Sequence, residues 1–365
     1  MGRNPLRGGY LSSARQSALT RGRAPDVSAC QRRRAQAAWG CGVRASRPAA
    51  AITSDLARGH GANSRVVCEE LRTNANGRRK VATFELSPRS SMRLGRLFLP
   101  EGKAVIVACD HGEFDGPQAG LEDPLNLIRV LGNWPDGILM SPGALWRSSD
   151  CFGSRGAPLA IVRLNWNSVY AFGWDPTESV SADVLEPEDA LRLGADIALI
   201  GLTLHTGSER TDAANVSNFA RLVARCQRLG LPVIGEYFPN AEATKDPVVL
   251  HEEVLRGTRI LYELGAECVK SFFQSGWGDV AENCPIPILA LGAERQPTDL
   301  DALRLAEDQV GSGARGVVFG RNVFQSGDPA RFVRALVEVV KRGVPARAAH
   351  EAFMGAATDG RSGPQ

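Results

Sequence analysis

A lysine inside an apolar run is the residue whose chemistry stands out first. It is Lys270, in Ala266-Glu267-Cys268-Val269-Lys270-Ser271-Phe272-Phe273. The chain has only five lysines (Lys80, Lys103, Lys245, Lys270 and Lys341) and carries its other positive charge as arginine. A buried lysine loses hydration, which disfavours the ammonium and lowers its pKa from about 10.4. A neutral amine can attack a carbonyl and form an imine. Arginine stays charged and cannot. The same residue would also serve as a charge partner for a barrel carboxylate, or as a phosphate ligand. A second signal closes an earlier apolar run, Ala108-Cys109-Asp110-His111-Gly112. Asp110 and His111 are proton-transfer groups, or a helix-capping Asp beside an incidental His. In Gly235-Glu236-Tyr237-Phe238-Pro239, Tyr237 and Glu236 are either proton carriers or rim packing. Two turns, Leu291-Gly292-Ala293 and Gly320-Arg321-Asn322, offer bare backbone N–H groups to phosphate oxygens, and Arg321 adds charge-assisted bonds. Arg147, Arg163 and Asn165 are candidates for a second anionic group or for substrate hydroxyls.

Eight short β-rich runs would position these residues. They are Ala104–Cys109, Asp136–Ser141, Leu159–Leu164, Asp196–Leu202, Leu231–Tyr237, Glu267–Phe272, Ile286–Leu291 and Gly316–Gly320. Most are continuously apolar, as expected of parallel strands covered on both faces. Helical stretches lie between them, among them Val216–Leu229, Val248–Leu264 and Leu300–Val310. A helix–Gly–strand signature recurs at Gly194, Gly230, Gly265 and Gly313. Eight βα units predict a (β/α)8 TIM barrel, whose functional groups sit at the C-terminal ends of the strands. A doubly wound open sheet fits less well, because no G-x-G-x-x-G turn follows the first run. Only Lys270 among the lysines falls in a predicted barrel strand.

The composition excludes some functions and divides the chain. Of 365 residues, 43% are hydrophobic and 23% charged, an ordinary globular balance. No uncharged apolar run reaches the ~18 residues of a membrane span. Residues 1–91 hold 17 Lys and Arg against 5 Asp and Glu, whereas the remainder holds 26 against 35. The body, 92–365, is therefore mildly acidic and gives no case for nucleic-acid binding. The Arg/Ser/Ala-rich extension, 1–91, predicts disorder. It fits a translated upstream region preceding a start at Met92, an organelle transit peptide, or a solvated tail. Eight cysteines without a C-x-x-C pair read as reduced thiols, and no metal site is expected.

Taken together, the segments resemble the DeoC/FbaB-type class I aldolase family, which includes archaeal-type fructose-bisphosphate aldolase and the autoinducer-2 processing thiolase. The resemblance spans roughly residues 93–353. It rests on Asp110-His111-Gly112 through Gly116-Pro117, on Val269-Lys270-Ser271-Phe272, and on Gly320-Arg321-Asn322-Val323-Phe324-Gln325, with Cys284-Pro285-Ile286-Pro287-Ile288 also fitting. It implies an imine at Lys270, proton transfer by Asp110 and His111, and phosphate against Gly292, Ala293, Gly320 and Arg321. Two positions depart from the aldolases. Phe238 stands where they have a proton-donating Tyr before the Pro, and Tyr237 one residue earlier would face the other way. Ala293-Glu294-Arg295 stands where they favour a second Gly and then Lys. Both departures weaken fructose-bisphosphate as the substrate; the missing Tyr, the Asp-His-Gly-x-Phe-x-Gly-Pro run and Gly120-Leu121-Glu122 after it lie nearer the thiolase branch. The implied activity is a class I aldolase-type lyase acting on a phosphorylated ketose or keto compound. Alternatives are thiolase-type acetyl transfer from a phosphorylated diketone to coenzyme A and a silent phosphometabolite-binding barrel. No metal or organic cofactor is implied, and coenzyme A enters only as co-substrate in the thiolase alternative. The resemblance also implies a homo-oligomer. The expected location is cytoplasmic, away from membranes, or an organelle if the extension is a transit peptide.

Overall fold

Every predicted apolar run contributes one strand, and the eight strands close into a parallel barrel. The computed structural model describes residues 67–73, 79–85, 91–171, 173, 178–240 and 243–355. The strands are β1 Ala104–Ala108, β2 Gly137–Met140, β3 Leu159–Arg163, β4 Ile197–Leu202, β5 Val233–Tyr237, β6 Cys268–Ser271, β7 Ile288–Leu291 and β8 Gly316–Phe319. Each pairs with its sequence neighbours, and β8 pairs with β1 to close the ring. The fold is thus the expected (β/α)8 barrel.

The intervening helices start and stop where local chemistry dictates. Ser208 caps Glu209–Leu229, Asp246 caps Pro247–Glu263 and Thr298 caps Asp299–Gly311, each side chain accepting from a first-turn N–H. The four glycines of the recurrent signature, Gly194, Gly230, Gly265 and Gly313, all have positive φ. The helix predicted from Val216 begins seven residues earlier, at Glu209, because its first turns are polar and carry no apolar periodicity.

Alternation along the strands divides the core in two. Ala104, Ile106 and Ala108 of β1 point to the barrel axis, as do Leu159 and Ile161 of β3, Ile234 of β5, Cys268 of β6 and Leu289 of β7. Val105, Val107, Val233, Tyr237 and Val269 face outward against the helices. Helix Ser91–Phe98 plugs the inner cluster with Leu94, Leu97 and Phe98, none of them measurably exposed. Burying each such side chain contributes about 1.5–3 kcal/mol. Below the strands, Lys341 of the last long helix reaches Asp136 (2.6 Å) and Glu101 (3.2 Å).

Two hairpins lie outside the barrel. Val67–Thr73 pairs antiparallel with Arg79–Glu85 inside the segment where composition predicts disorder. The readings of the rest of that extension lie outside the described residues. The second hairpin, Asn165–Asn167 with Ser181–Asp183, extends the loop after β3. Among the described residues Cys109, Cys151, Cys226, Cys268 and Cys284 are free thiols; Cys30 and Cys41 lie outside them. No helix in the described residues is long and apolar enough to cross a membrane.

Candidate active site

Strand parity puts three charged side chains on the barrel axis. Arg163 follows Ile161 by two residues, Glu236 follows Ile234, and Lys270 follows Cys268, so each shares the inward face. Asp110 extends the inward series of Ala108 just past β1. The register of β5 and β6 sets Glu236 directly beside Lys270. All four are buried, Lys270 to 7% exposure and Arg163 and Glu236 to 1%.

These charges form one chain of contacts. The Lys270 ammonium pairs with Glu236 Oε1. Arg163 Nη2 donates to Glu236 Oε2 at 2.7 Å, and Arg163 Nε donates to Asp110 Oδ2 at 2.9 Å. The Tyr170 hydroxyl also donates to Glu236 Oε2, at 2.9 Å. Stacked rings of Phe114 (5.0 Å) and Tyr170 (4.7 Å) hold the Arg163 guanidinium in place. Burial alone would raise the Glu236 carboxyl, but Lys270 and Arg163 outweigh it and hold it down at about 2. Asp110 is likewise pulled below its usual range against the effect of burial, by Arg163 and then Lys270. Two cations thus balance two carboxylates, which a buried cluster needs because an unpaired ion there costs several kcal/mol.

His111 links this cluster to the rim. Its Nδ1 stands 3.8 Å from Asp110 Oδ1, and its ring meets Phe324 edge-on at 5.1 Å. Burial depresses the imidazole to about 4 despite the neighbouring Asp110 carboxylate, so it is neutral at pH 7. Gly320 is required here: a Cβ at that position would lie 2.2 Å from His111 Cε1. Lys270, Glu236, Arg163, Asp110, His111 and Gly320 are therefore contiguous, each touching the next.

Beside Gly320, the β7 and β8 turns are tied together. Asn322 Nδ2 donates to the carbonyls of Gly292 (2.9 Å) and Glu294 (3.1 Å), while its Oδ1 accepts from Gln296 N (2.7 Å). Arg321 Nη2 donates to the Ala293 carbonyl at 3.0 Å. Ala293 adopts φ +51°, a conformation costly for a side chain with Cβ. Four side chains around the mouth also keep a buried polar atom without a partner: His111 Nδ1, Glu113 Oε2, Arg163 Nη1 and Arg321 Nε. Such atoms are costly unless a ligand satisfies them.

Several sequence expectations shift. Tyr237 is not in this cluster. It faces outward, its hydroxyl donating to Glu253 Oε2 at 2.7 Å and its ring lying over Gly257, where a Cβ would come within 2.2 Å. Parity explains this, since Glu236 takes the inward place. Lys270 is paired with a barrel carboxylate, Glu236, the charge-partner arrangement that its sequence context also allows. Arg147 lies over β2, exposed, with Nη1 on the Gly143 carbonyl at 2.8 Å. It lines a pocket of about 530 Å³ with Cys109, Glu113 and Ser141, and none of Gly292, Ala293, Gly320 or Arg321 lines that pocket. Asn165 is a structural clamp, exchanging hydrogen bonds with both backbone groups of Gly201 (2.7 and 2.8 Å). Tyr170 and Glu113 carry no site signal in the sequence, and Asn322 appears there only as part of the Gly320-Arg321-Asn322 turn. Among the described residues no group of three or more His, Cys, Asp or Glu could hold a metal ion.

Known proteins share this arrangement of elements. The chain is 29% identical to an uncharacterized aldolase of Saccharolobus solfataricus, over 69% of this chain and 94% of that one. It is 30% identical to the 3-hydroxy-5-phosphonooxypentane-2,4-dione thiolase of Yersinia pestis, over 72% of this chain and 86% of that one. Among solved structures it is similar to an archaeal fructose-1,6-bisphosphate aldolase whose catalytic Lys is covalently bound to the carbinolamine intermediate of the substrate. That similarity has a TM-score of 0.59 at 26% identity and covers 69% of this chain and 99% of the other. Residues 104–326 match the profile of the DeoC/LacD family aldolases, and the chain belongs to that family.

Proposed function

We propose that this protein is a class I aldolase-type lyase, forming an imine between Lys270 and the carbonyl of a phosphorylated ketose or keto compound. The carrying observation is one primary amine on the inner face of the barrel, paired with Glu236 and linked through Arg163 to Asp110. The archaeal aldolase with a carbinolamine on its catalytic Lys supports the same chemistry.

The phosphate docks against Gly292, Ala293, Gly320 and Arg321, where Arg321 Nε has no partner. Glu236 holds the Lys270 amine on the barrel axis through their ion pair, and the amine attacks in its neutral form. The amine adds to the carbonyl carbon, and water leaves. The protonated imine then draws electrons from the neighbouring carbon–carbon bond, so that bond breaks or, in reverse, forms. Neutral His111 and ionised Asp110 handle the protons at the carbinolamine. The electron sink is the imine itself, so the reaction needs no metal or organic cofactor.

A second reading, thiolase-type acetyl transfer to coenzyme A, draws on the Yersinia relative and on Phe238 in place of a tyrosine. A panel of ketose phosphates and phosphorylated diketones, assayed with and without coenzyme A, separates the two. Carbon–carbon cleavage independent of coenzyme A supports the lyase, and strict dependence on coenzyme A supports the thiolase. Binding without turnover, retained in Lys270→Arg, would overturn both.

A further inference from the structure

Breaking the carbon–carbon bond next to an imine requires a base that no contact described so far supplies. The hydroxyl that must lose its proton is two carbons from the imine carbon, so its acceptor has to stand off from the lysine. Glu236 is unsuited, being saturated by Lys270, Arg163 and Tyr170. Asp110 is clamped by Arg163 through Oδ2. The Tyr170 hydroxyl is committed to Glu236, and burial holds its phenol far above neutrality. Tyr237 is on the other face of the strand.

Glu113 remains. It sits in the short helix Gly112–Asp115 that follows β1, in the same turn as Phe114, whose ring covers Arg163. Its Oε2 is buried and has no partner. It forms part of the wall of the 530 Å³ pocket between the β1 and β2 loops, with Cys109, Ser141 and Arg147. The charged groups facing it are Arg163 and Asp110 on the barrel side, and Glu122, Asp123 and Arg147 round the pocket. Burial pushes its carboxyl up to about 7, Arg163 opposing and Asp110 reinforcing. A carboxyl at that value is half ionised at neutral pH, as a group that both takes and returns a proton should be.

We propose that Glu113 is the acid–base residue of the carbon–carbon step and that the pocket beside it receives the carbonyl fragment released. This rests on the imine reading above. In cleavage, the Glu113 carboxylate takes the hydroxyl proton, and the oxygen's electron pair forms the new carbonyl. The carbon–carbon electrons pass to the protonated imine, leaving an enamine on Lys270. In synthesis the enamine carbon attacks the carbonyl of the pocketed fragment, and Glu113 protonates the resulting alkoxide. Atoms and electrons balance without a further reactant.

The test uses the full chain with dihydroxyacetone phosphate and a panel of short aldehydes as probes. Borohydride trapping reports the imine, and product formation between pH 5 and 9 reports the later step. Glu113→Gln should trap dihydroxyacetone phosphate on Lys270 as the wild type does. Its condensation rate should fall about 100-fold, and the limb near pH 7 should vanish. Glu113→Asp should keep the limb at a reduced rate. A Glu113→Gln protein with wild-type rate and an unchanged pH profile overturns the role of Glu113 while leaving the imine standing. A wild type that traps nothing overturns both.

Discussion

Two tyrosine–carboxylate pairs sit back to back at the C-terminal end of β5. On the inner face, Glu236 accepts from Tyr170 at 2.9 Å and also holds Lys270 and Arg163. On the outer face, Tyr237 donates to Glu253 at 2.7 Å, and Glu253 also meets His205 Nδ1 at 2.7 Å and Arg256 at 3.7 Å. Both carboxylates are buried and both serve a phenol. What differs is the rest of the company. The inner carboxylate shares its site with a primary amine and a fully buried guanidinium, one of whose nitrogens is left without a partner. The outer one joins β5 to the helix Pro247–Glu263 and the loop after β4. One step along the strand separates a site equipped for chemistry from a structural joint.

That contrast can be broken or sharpened by substitution. Lys270→Met should lower turnover on the order of 10⁴-fold or more while the circular dichroism spectrum and melting profile stay native-like. Arg163→Met should destabilise the fold by about 3–5 kcal/mol, read from the denaturant midpoint, because Asp110 and Glu236 then lose their common cation. On the outer face, Tyr237→Phe should cost only about 1 kcal/mol of stability, one hydrogen bond, and change kcat by less than about two-fold. A large kcat loss in that variant would erase the distinction between the two faces.

The mildest effect is a pH slope. His111 is depressed to about 4 from its ordinary 6.5. Between those values the folded chain binds fewer protons than the unfolded one, so stability rises with pH across that window and is lost as pH falls through it. Chemical denaturation at several pH values should show a shallower slope in His111→Gln.

The barrel was legible because continuous apolar runs and helix-ending glycines are local signals, and all eight strands fell within a residue or two of their runs. Lys270, Asp110 and His111 were legible as unusual residue types closing such runs. Their counterions were not. Arg163 meets Asp110 across 53 residues of sequence and Glu236 across 73, and only the strand register brings them together. Parity already set Tyr237 apart from Phe238 in the sequence, but that Glu236 would be the inward carboxylate holding Lys270 and Arg163 needed the strand register. Asn322 was visible, but its task of tying the β7 and β8 turns depends on carbonyls 28 and 30 residues away. Glu113 sits in the middle of a recognisable motif, yet what distinguishes it, a buried and unpartnered carboxylate oxygen, is set by how the chain packs round it. The helix that plugs the barrel floor was missed because its eight residues are too short for a periodic pattern.

Borohydride reduction in the presence of a substrate that is turned over, followed by peptide mass spectrometry, tests the central claim most directly. The inner-face lysine should carry the reduced substrate mass, and the Lys270→Met protein should carry none. Turnover with no adduct on that peptide, or an adduct on Lys103, Lys245 or Lys341 instead, would contradict it.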